Sequence, residues 1–357
     1  MRLHLGDFTR ALSRLAPLTV RKDAFVDAST RPGVGVELHA LGDVGLSLLI
    51  PEHEPGTLQW LANGDLLLPV RDLLPYLGGL KALTLQGGAS RLEASTPSGS
   101  LAAFALGDAT LASPWAWPDL QPQAFLMPGV IRTLFSATRF ASAGGLRAFD
   151  QHNQTLRGVQ LTIHGDEARM RATINTLAAS CVAPGGSGEL DVNLHPAGWT
   201  ILSNLEGELS FIVSNHRLYV AGGGSSWACL PLIAEALPEM EAVLASESEP
   251  FVSGDNGEIQ AAIRRVLPFA GEMQAGLFTP DAQGRLTIRV EREGSEVLEV
   301  LERARCSATA KLRLPMTLDL LGALDPEDVE LRLNAVKHNV VLAQDQGLRA
   351  AMSALRD

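Results

Sequence analysis

Residues 8–15 read Phe-Thr-Arg-Ala-Leu-Ser-Arg-Leu, and the spacing of their apolar residues indicates how this part of the chain folds. Phe8 is followed by apolar residues three, four and seven positions later, at Ala11, Leu12 and Leu15. Such spacing places all four side chains on one face of an α-helix. The segment therefore predicts a helix that packs one apolar face against the rest of the molecule.

The same pattern recurs five more times. Its members are Val70, Leu73, Leu74 and Leu77; Ile131, Leu134, Phe135 and the weaker Thr138; Gly198, Ile201, Leu202 and Leu205; Ile259, Ala262, Ile263 and Val266; and Thr317, Leu320, Leu321 and Leu324. The first positions are 62, 61, 67, 61 and 58 residues apart. Ordinary packing on a sheet explains each helix alone, but near-constant spacing indicates a repeated supersecondary unit.

The sequence between the helices completes the unit. Four helices are entered through a proline, at Pro69, Pro128, Pro196 and Pro315, a residue that suits the first helical turn. Short extended runs precede these prolines, at 66–68, 124–127, 192–194 and 311–314. Alternating runs separated by turn residues follow the helices, for example 80–85, 90–95 and 101–106. Each unit is predicted to be a strand, a helix and then a meander of strands.

The length of the chain indicates how the units are grouped. A single unit of about sixty residues buries little surface, so two units per domain are expected. The 357 residues then divide into three similar α+β domains, at 1–120, 121–243 and 244–357. Irregular proline-bearing stretches at 112–123 and 237–257 mark the boundaries.

Other features limit the class of protein. No run of eighteen apolar residues occurs, and the amino-terminal residues lack a signal-peptide core, so a cytoplasmic protein without a membrane partner is expected. Cys181, Cys229 and Cys306 are widely separated and are predicted to be buried thiols. The eight histidines form no His-x-x-x-His or His-Glu-x-x-His pair, and no Gly-x-Ser-x-Gly motif is present. Glycine-rich 222–226 lacks a following Lys-Ser/Thr helix and is interpreted as a flexible hairpin loop. No enzyme activity, metal or cofactor is predicted.

Charge is distributed unevenly. The net charge of −11 argues at first against a nucleic-acid partner. Basic residues nevertheless occur on or beside four of the six predicted helices, while much of the acid lies in strands and loops. Arginines on one exposed helix could simply favour solubility, but their recurrence on equivalent helices favours a polyanionic partner.

Several segments carry a resemblance to a known family. Residues 63–79 (NGDLLLPVRDLLPYLGG) resemble the entry into the second helix of the bacterial DNA polymerase III beta subunit, the DNA sliding clamp. Residues 125–139 (FLMPGVIRTLFSATR), with Leu-Arg-Gly-Val at 156–159 and Met-Arg-Ala-Thr at 170–173, resemble the start of its middle domain. Leu-Pro-Glu-Met at 237–240 stands where clamps carry an aromatic-Pro-Asp-Tyr turn.

The resemblance implies a processivity factor. Two chains would join head to tail into a homodimeric ring, with helices lining the hole, and basic side chains would contact DNA phosphates without sequence specificity. A nucleoid-associated, non-catalytic accessory subunit of a DNA polymerase is implied. The residues expected to contact duplex DNA are Arg10, Arg14, Arg21, Lys22, Arg71, Lys81, Arg132, Arg139, Arg147, Arg264 and Arg265.

Family clamps also bind peptides of polymerases and clamp loaders in an apolar pocket. By resemblance this pocket contains Leu156, Thr173, Leu177, Val243 and Met352. The chain departs from the family here, because Ile-Asn-Thr replaces the usual Asp-Gly-x turn at 174–176 and the carboxyl-terminal strand is altered. Dimerisation is expected to pair the edge strand that carries Leu101, Phe104 and Leu106 with the third domain near Val266 and Leu267.

A second class of function stays open at this point. A protein with the same fold could have lost DNA encirclement and serve as a scaffold or interaction module. Quaternary structure and retention on circular DNA separate the two.

Overall fold

The computed structural model describes residues 1–18, 25–40, 45–62, 64–88, 90–107, 118–142, 158–174, 177–223, 226–324, 327–334, 340–345 and 347–355. The helices are α1 (Leu5–Leu15), α2 (Val70–Leu77), α3 (Val130–Thr138), α4 (Pro196–Leu202), α5 (Glu241–Leu244), α6 (Asn256–Val266) and α7 (Leu314–Ala323). Short 3₁₀ turns follow α1, α3 and α6 at Ala16–Leu18, Arg139–Ala141 and Leu267–Phe269.

Strands make up most of the remaining regular structure. They are β1 (Arg2–Leu3), β2 (Phe25–Arg31), β3 (Gly35–Ala40), β4 (Gly45–Pro51), β5 (Leu58–Trp60), β6 (Asp65–Pro69), β7 (Leu83–Gly87), β8 (Arg91–Ser95), β9 (Leu101–Ala105), β10 (Ala124–Leu126), β11 (Val159–His164), β12 (Glu167–Ile174), β13 (Leu177–Pro184), β14 (Gly186–Leu194), β15 (Leu209–Ser214), β16 (Arg217–Ala221), β17 (Trp227–Pro231), β18 (Glu249–Asp255), β19 (Ala275–Pro280), β20 (Arg285–Arg292), β21 (Ser295–Cys306), β22 (Ala310–Arg313), β23 (Asp328–Asn334), β24 (Val340–Asp345) and β25 (Leu348–Ser353).

The order of elements confirms the predicted repeat. Each of α1, α2, α3, α4, α6 and α7 follows a strand and precedes three strands. The apolar positions of α1, α3 and α6 are all buried, as the 3.6-residue period requires. In the fourth repeat the helix ends at Leu202, and Leu205 lies beyond it but is still buried.

The chain folds into two compact units. Unit 1 comprises Met1–Gly129 and Ile201–Leu232, and unit 2 comprises Val130–Thr200 and Ile233–Asp357. The predicted second domain is thus shared between them. The three domain boundaries from the sequence stay a prediction, and strand pairing explains the grouping into two units.

Unit 1 contains two sheets. The first has the order β1-β5-β7-β8-β9, with β5 and β7 parallel and the other pairs antiparallel. The second is fully antiparallel, in the order β6-β2-β3-β4-β17-β16-β15-β10. The β4–β17 pairing joins a strand of the predicted first domain to one of the predicted second domain.

The strand pairs described in unit 2 are all antiparallel. Antiparallel pairing runs through β14-β11-β12-β13-β25-β24-β23-β18, and β18 also pairs with β21. From β21 the sheet continues through β20 and β19 to β22. Helices α3, α6 and α7 pack on these strands with their apolar faces, so the core of unit 2 lies between helices and sheet.

Candidate nucleic-acid interface

The helical side of unit 1 carries three of the predicted arginines. Helices α1 and α2 contact each other, and each buries its apolar stripe. Arg10 and Arg14 are four residues apart on α1 and therefore lie on one face. Arg71 is exposed at the start of α2, and Lys81 is exposed in the turn that follows it. These four side chains thus lie on or next to the helical side of the unit.

The two arginines of α1 differ in their partners. Arg10 Nη1 lies 3.3 Å from Asp7 Oδ1, and both side chains are largely exposed. An exposed pair of this kind contributes little to stability and leaves the guanidinium able to contact an anion. Arg14 is half-buried and makes no hydrogen bond or ion pair with another described residue. Arg14 is therefore a cation for which the described part of unit 1 supplies no counter-ion.

A groove of about 440 Å³ lies beside these arginines. Its lining combines buried apolar side chains with charged or polar side chains that are more exposed. The lining residues come from α1, β4 and the segments around α4 and β17: Asp7, Arg10, Ala11, Arg14, Leu48, Leu49, Ile50, Pro51, Asn204, Leu205, Glu206, Gly223 and Ser226. The structure therefore brings Arg10 and Arg14 together at a concave surface, and their contact with DNA stays a prediction.

Glycines close one wall of this groove. The Gly223 N–H donates to Glu206 O at 2.6 Å, and a Cβ on Gly207 would lie only 2.9 Å from Gly223 N. Gly207 also has a φ of 78°, which favours glycine. The described part of the glycine-rich segment is thus packed against residues 206–207. The predicted hairpin is confirmed, because Ala221 pairs with Trp227 across β16 and β17, and the flexibility of its loop stays a prediction.

The helical side of unit 2 is formed by α3, α7 and α6, with α7 in contact with both others. Arg132 and Arg139 are exposed on or just after α3, and Arg264 and Arg265 are exposed in the last turn of α6. Asp255 caps α6 by accepting a 2.6 Å hydrogen bond from Glu258 N. Arg264 and Arg265, near the carboxyl end of α6, interact favourably with the negative end of the helix dipole. Four predicted cations therefore lie on the helical side of this unit.

Two of these arginines are already engaged. Arg265 donates two hydrogen bonds of 2.9 Å to the carboxylate of Glu299 on β21. These bonds hold the pKa of Glu299 below its usual value, because they favour the ionised carboxylate. Arg264 donates to Gln260 Oε1 at 2.7 Å, a neutral partner that leaves its charge uncompensated. Arg264 is consequently the better candidate of the two for contact with a phosphate.

An acidic residue also lies on this side. Asp319 of α7 is close enough to Arg139 for the two charges to interact. Partial burial of the carboxyl raises the pKa of Asp319, and the Arg139 guanidinium opposes that rise. A carboxylate at this position weakens the attraction of the unit for a polyanion.

Asp319→Asn is therefore expected to strengthen the association of the protein with duplex DNA by about two- to fivefold at low salt, because one repulsive charge is removed. Fluorescence anisotropy of a labelled 40-base-pair duplex measures the change. Glu239→Gln removes an exposed acid outside the helices and should leave the affinity unchanged. Equal effects of both variants would mean that only net charge matters.

Some predicted residues cannot be placed. Arg21, Lys22, Arg147 and Leu156 lie outside the described residues. Of the predicted peptide-pocket residues, Thr173, Leu177, Val243 and Met352 are described.

The structure does not bring those four residues to one site. Leu177 pairs with Met352 across β13 and β25, and the Met352 Sδ atom lies 3.8 Å from Thr317 Oγ1 of α7. Thr173 pairs with Ala178, so it lies on the opposite face of the sheet from Leu177. Val243 packs on that opposite face too, in the cluster around Ala178. The predicted pocket is thus divided by the sheet, since a shift of one residue along a strand reverses the face.

Helix α5 covers the face that carries Thr173. Met240 and Leu244 are buried there against Ala178 and Ala351. Glu241 Oε1 lies 3.7 Å from Arg169 and 3.9 Å from Arg171, both on β12. The sequence prediction missed this four-residue helix, because a single turn is too short for apolar periodicity to reveal.

The residues predicted for the dimer interface also differ in their environment. Leu101 is 74% exposed on β9, which forms an edge of its sheet, and the Phe104 ring lies 5.4 Å from the Tyr76 ring of α2. Leu106 is half-buried just after the strand. Val266, in contrast, is fully buried in the core, so its side chain is not available to a partner, and Leu267 is half-buried.

Exposed apolar residues lie on the strand that α6 contacts. Helix α6 packs on β21, where Leu298 is 54% exposed and Val300 is 40% exposed. The sequence prediction did not single out this strand. Its acids recur every third residue, at Glu296, Glu299 and Glu302, so the stretch lacks the two-residue alternation by which a sequence reveals a half-buried strand.

Other chemistry is sparse in the described residues. In that part of the chain no three His, Cys, Asp or Glu side chains are arranged to hold a metal ion. The three cysteines are free and buried, as the sequence predicted. The buried carboxylate of Glu37 is satisfied by Ser47 at 2.8 Å and by Arg31 at 2.9 Å. The described residues include no helix with the length and apolar character needed to cross a membrane.

Comparison with known proteins identifies the architecture. No protein-family model and no curated protein matches the sequence. A DNA polymerase sliding clamp from Pseudomonas aeruginosa is similar in structure over 100% of this chain and 99% of its own, with a TM-score of 0.78 and 17% identity. The griselimycin-bound clamp from the same organism, a DNA polymerase III beta subunit, has the same coverage and identity and a TM-score of 0.81. The DNA polymerase III beta chain from Streptococcus pneumoniae matches with a TM-score of 0.81, 14% identity and 99% coverage of both chains. The chain therefore has the sliding-clamp fold, as its sequence predicted.

Proposed function

We propose that this protein is a non-catalytic DNA sliding clamp of the DNA polymerase III beta type, in which two copies encircle duplex DNA and tether replication or repair proteins. The observation that carries the proposal is the exposure of arginines on the helical side of each unit, in a chain whose net charge is −11. Helical surfaces with exposed guanidinium groups suit a phosphate backbone and read no bases.

The groove beside α1 supports this role in more detail. Arg10 and Arg14 can both reach one anion-binding surface, and Asp7 is the only acid that pairs with either among the described residues. Acidic and basic side chains together line this groove, which favours weak binding of an anion. A protein that slides along DNA requires weak binding. Affinity of this kind depends strongly on salt, because released counter-ions drive it.

The edge of β9 supports pairing with a second copy. Its residues are Leu-Ala-Ala-Phe-Ala, with no charge to discourage association with another strand. The amino-terminal part of β21 pairs with β20 along one edge. No strand among the described residues pairs with the other edge of this part. We propose that β9 of each copy pairs with β21 of the other, so the exposed partners are Leu298 and Val300 rather than Val266.

The expected peptide site belongs to the same proposal, with changed residues. On the face covered by α5, the described residues Thr173, Ala178, Val243 and Ala351 lie near the cationic side chain of Arg171. We propose that peptides of a polymerase or clamp loader bind this face. Ala178 and Ala351, instead of Leu177 and Met352, would then contact the peptide. Cytoplasmic action at the nucleoid follows from such partners.

Topological retention on DNA tests encirclement without a loader. The purified protein is mixed with a linear plasmid, the plasmid is circularised with ligase, and the mixture is gel-filtered at 0.3 M salt. Protein should stay with the closed circles and leave them after one restriction cut. The control adds protein to circles that are already closed, which should retain much less. Equal retention in all three arms would refute encirclement.

A second function is favoured by specific contacts. Arg265 is neutralised by Glu299, Arg10 is paired with Asp7, and Asp319 opposes Arg139. These contacts favour a clamp-fold scaffold that no longer encircles DNA. A monomer that is indifferent to DNA topology in the experiment above would support this alternative.

A further inference from the structure

A second concave surface lies in unit 2, on the side of the sheet away from α6 and α7. It has a volume of about 690 Å³ and is bordered by the turn at 271–273 and by β19, β20 and β22. A volume of this size accommodates a small ligand or a few side chains. Its lining includes none of the residues assigned to the helical sides or to the face covered by α5.

Strand register places three side chains in a row across this surface. Leu277 of β19 is directly opposite Arg289 of β20 on one side and Lys311 of β22 on the other. Residues directly opposite each other in an antiparallel sheet share a face. Met273, which is 60% exposed, borders the same space. The surface therefore has an apolar centre with a cation on each side.

The two cations are not equivalent. Arg289 donates a hydrogen bond to Glu291, and its Nε atom lies 3.0 Å from a carboxylate oxygen of Glu296. Lys311 is half-buried, and its ammonium group makes no hydrogen bond or ion pair with any described side chain. One positive charge next to apolar side chains is thus left without a partner on the described surface.

The acidic residues around the cavity restrict the charge of a ligand. Glu272 and Glu291 both border it, and Glu291 already offsets Arg289. A doubly charged phosphate would be repelled by these carboxylates, whereas a single carboxylate can pair with Lys311. The apolar centre requires in addition that the ligand carry an apolar group.

Distance favours one arrangement of these two groups. Leu277 and Lys311 lie on neighbouring strands, whose separation is about 4.8 Å. In a polypeptide, the terminal carboxylate lies within a similar distance of the side chain of the last residue. An apolar last residue could therefore contact Leu277 and Met273 while its own carboxylate reaches Lys311.

We propose that this cavity binds the carboxyl terminus of a polypeptide whose last residue is apolar. Lys311 pairs with the terminal carboxylate, and Met273 and Leu277 contact the last side chain. Capture of a terminal carboxylate is an established mode of peptide recognition. This site is independent of the proposed function, because it uses none of the residues assigned to DNA, to dimerisation or to the α5 face.

A labelled tripeptide on the full chain tests the proposal. Dansyl-Gly-Gly-Leu with a free carboxylate is expected to bind at least tenfold more tightly than the same peptide with a carboxyl-terminal amide, as measured by fluorescence anisotropy. Lys311→Met keeps the length of the side chain and should reduce binding of the acid to the level of the amide. Arg91→Met removes an exposed cation on β8 of unit 1, away from every proposed binding site, and should have no effect.

Several results would overturn the proposal. These are equal binding of acid and amide, no binding of either at 10 mM, full binding by Lys311→Met, or displacement of the peptide by 10 mM inorganic phosphate. The comparison of acid with amide on the unaltered chain needs no variant, so it stays decisive if Lys311→Met folds poorly. Substituting serine for the last leucine of the peptide should weaken binding as well, because the apolar contact is lost.

Discussion

Replacing Arg10 and Arg14 together with glutamate is expected to lower the affinity for duplex DNA by about 10- to 100-fold at 0.1 M salt, and to reduce the slope of log K against log salt by about two. The two side chains lie four residues apart on α1 and border one groove. Each guanidinium that contacts a phosphate releases counter-ions, and a carboxylate in its place repels the phosphate instead.

The fold should survive this double substitution. Arg10 is exposed and has only a surface pair with Asp7, while Arg14 is half-buried without a described partner. Loss of an exposed ion pair costs about 0–1 kcal/mol. The measurement is anisotropy of a labelled duplex at several salt concentrations, with circular dichroism to confirm folding.

A matched control separates position from charge. Arg2→Glu with Arg91→Glu makes the same change in net charge within unit 1, at exposed residues of β1 and β8. These strands carry their buried residues, Leu3 and Leu92, on the alternate positions. The control pair should retain most of the affinity. If it weakens binding as much as the α1 pair does, the helical side has no special role.

Ala103→Pro is expected to convert a dimer of 38.0 kDa chains into monomers at micromolar concentration, with dimer dissociation increased on the order of 100-fold. The direction of the backbone groups explains why. Leu106 N–H donates to Ser90 O of the neighbouring segment at 3.1 Å. Because backbone groups alternate along a strand, the N–H of Phe104 points toward β8 and that of Ala103 points to the open edge.

Proline at position 103 therefore removes a donor that only a second copy could use. Its ring also obstructs an incoming strand, whereas the ladder with β8 keeps its hydrogen bonds. Ala103→Thr retains the donor and favours extended backbone, so it serves as the control and should leave the dimer intact. Sedimentation equilibrium gives the masses. An unchanged dimer in the proline variant would place the interface elsewhere.

The helices were predictable because their evidence is local. Phe8 and Leu15, or Ile259 and Val266, are separated by seven residues, and burial of one face requires that period. Prolines and turn residues then positioned the strands between them. The sequence therefore predicted the α+β clamp fold, which the structural similarity confirms, although sequence identity to the compared clamps is only 14–17%.

Side-chain environment was harder to predict, because it depends on contacts between distant residues. Arg265 is neutralised by Glu299, 34 residues away along the chain. The resemblance predicts Val266 at an interface, yet the period that makes α6 amphipathic already requires it in the core. The peptide-pocket residues were assigned from a resemblance in a region where the sequence departs from the family, and a one-residue register error in a strand is enough to select the wrong face.

The pairings β4–β17 and β13–β25 have a consequence for how such a chain can be altered. Each of them links a strand of one predicted domain to a strand of the next by backbone hydrogen bonds. A fragment limited to residues 121–243 would leave one edge of β17 and one edge of β13 unpaired, and unpaired strand edges promote aggregation. Recombination that exchanges one predicted domain must therefore preserve strand length and register at both of these pairings. The predicted domains are consequently harder to exchange than domains that are connected only by flexible linkers.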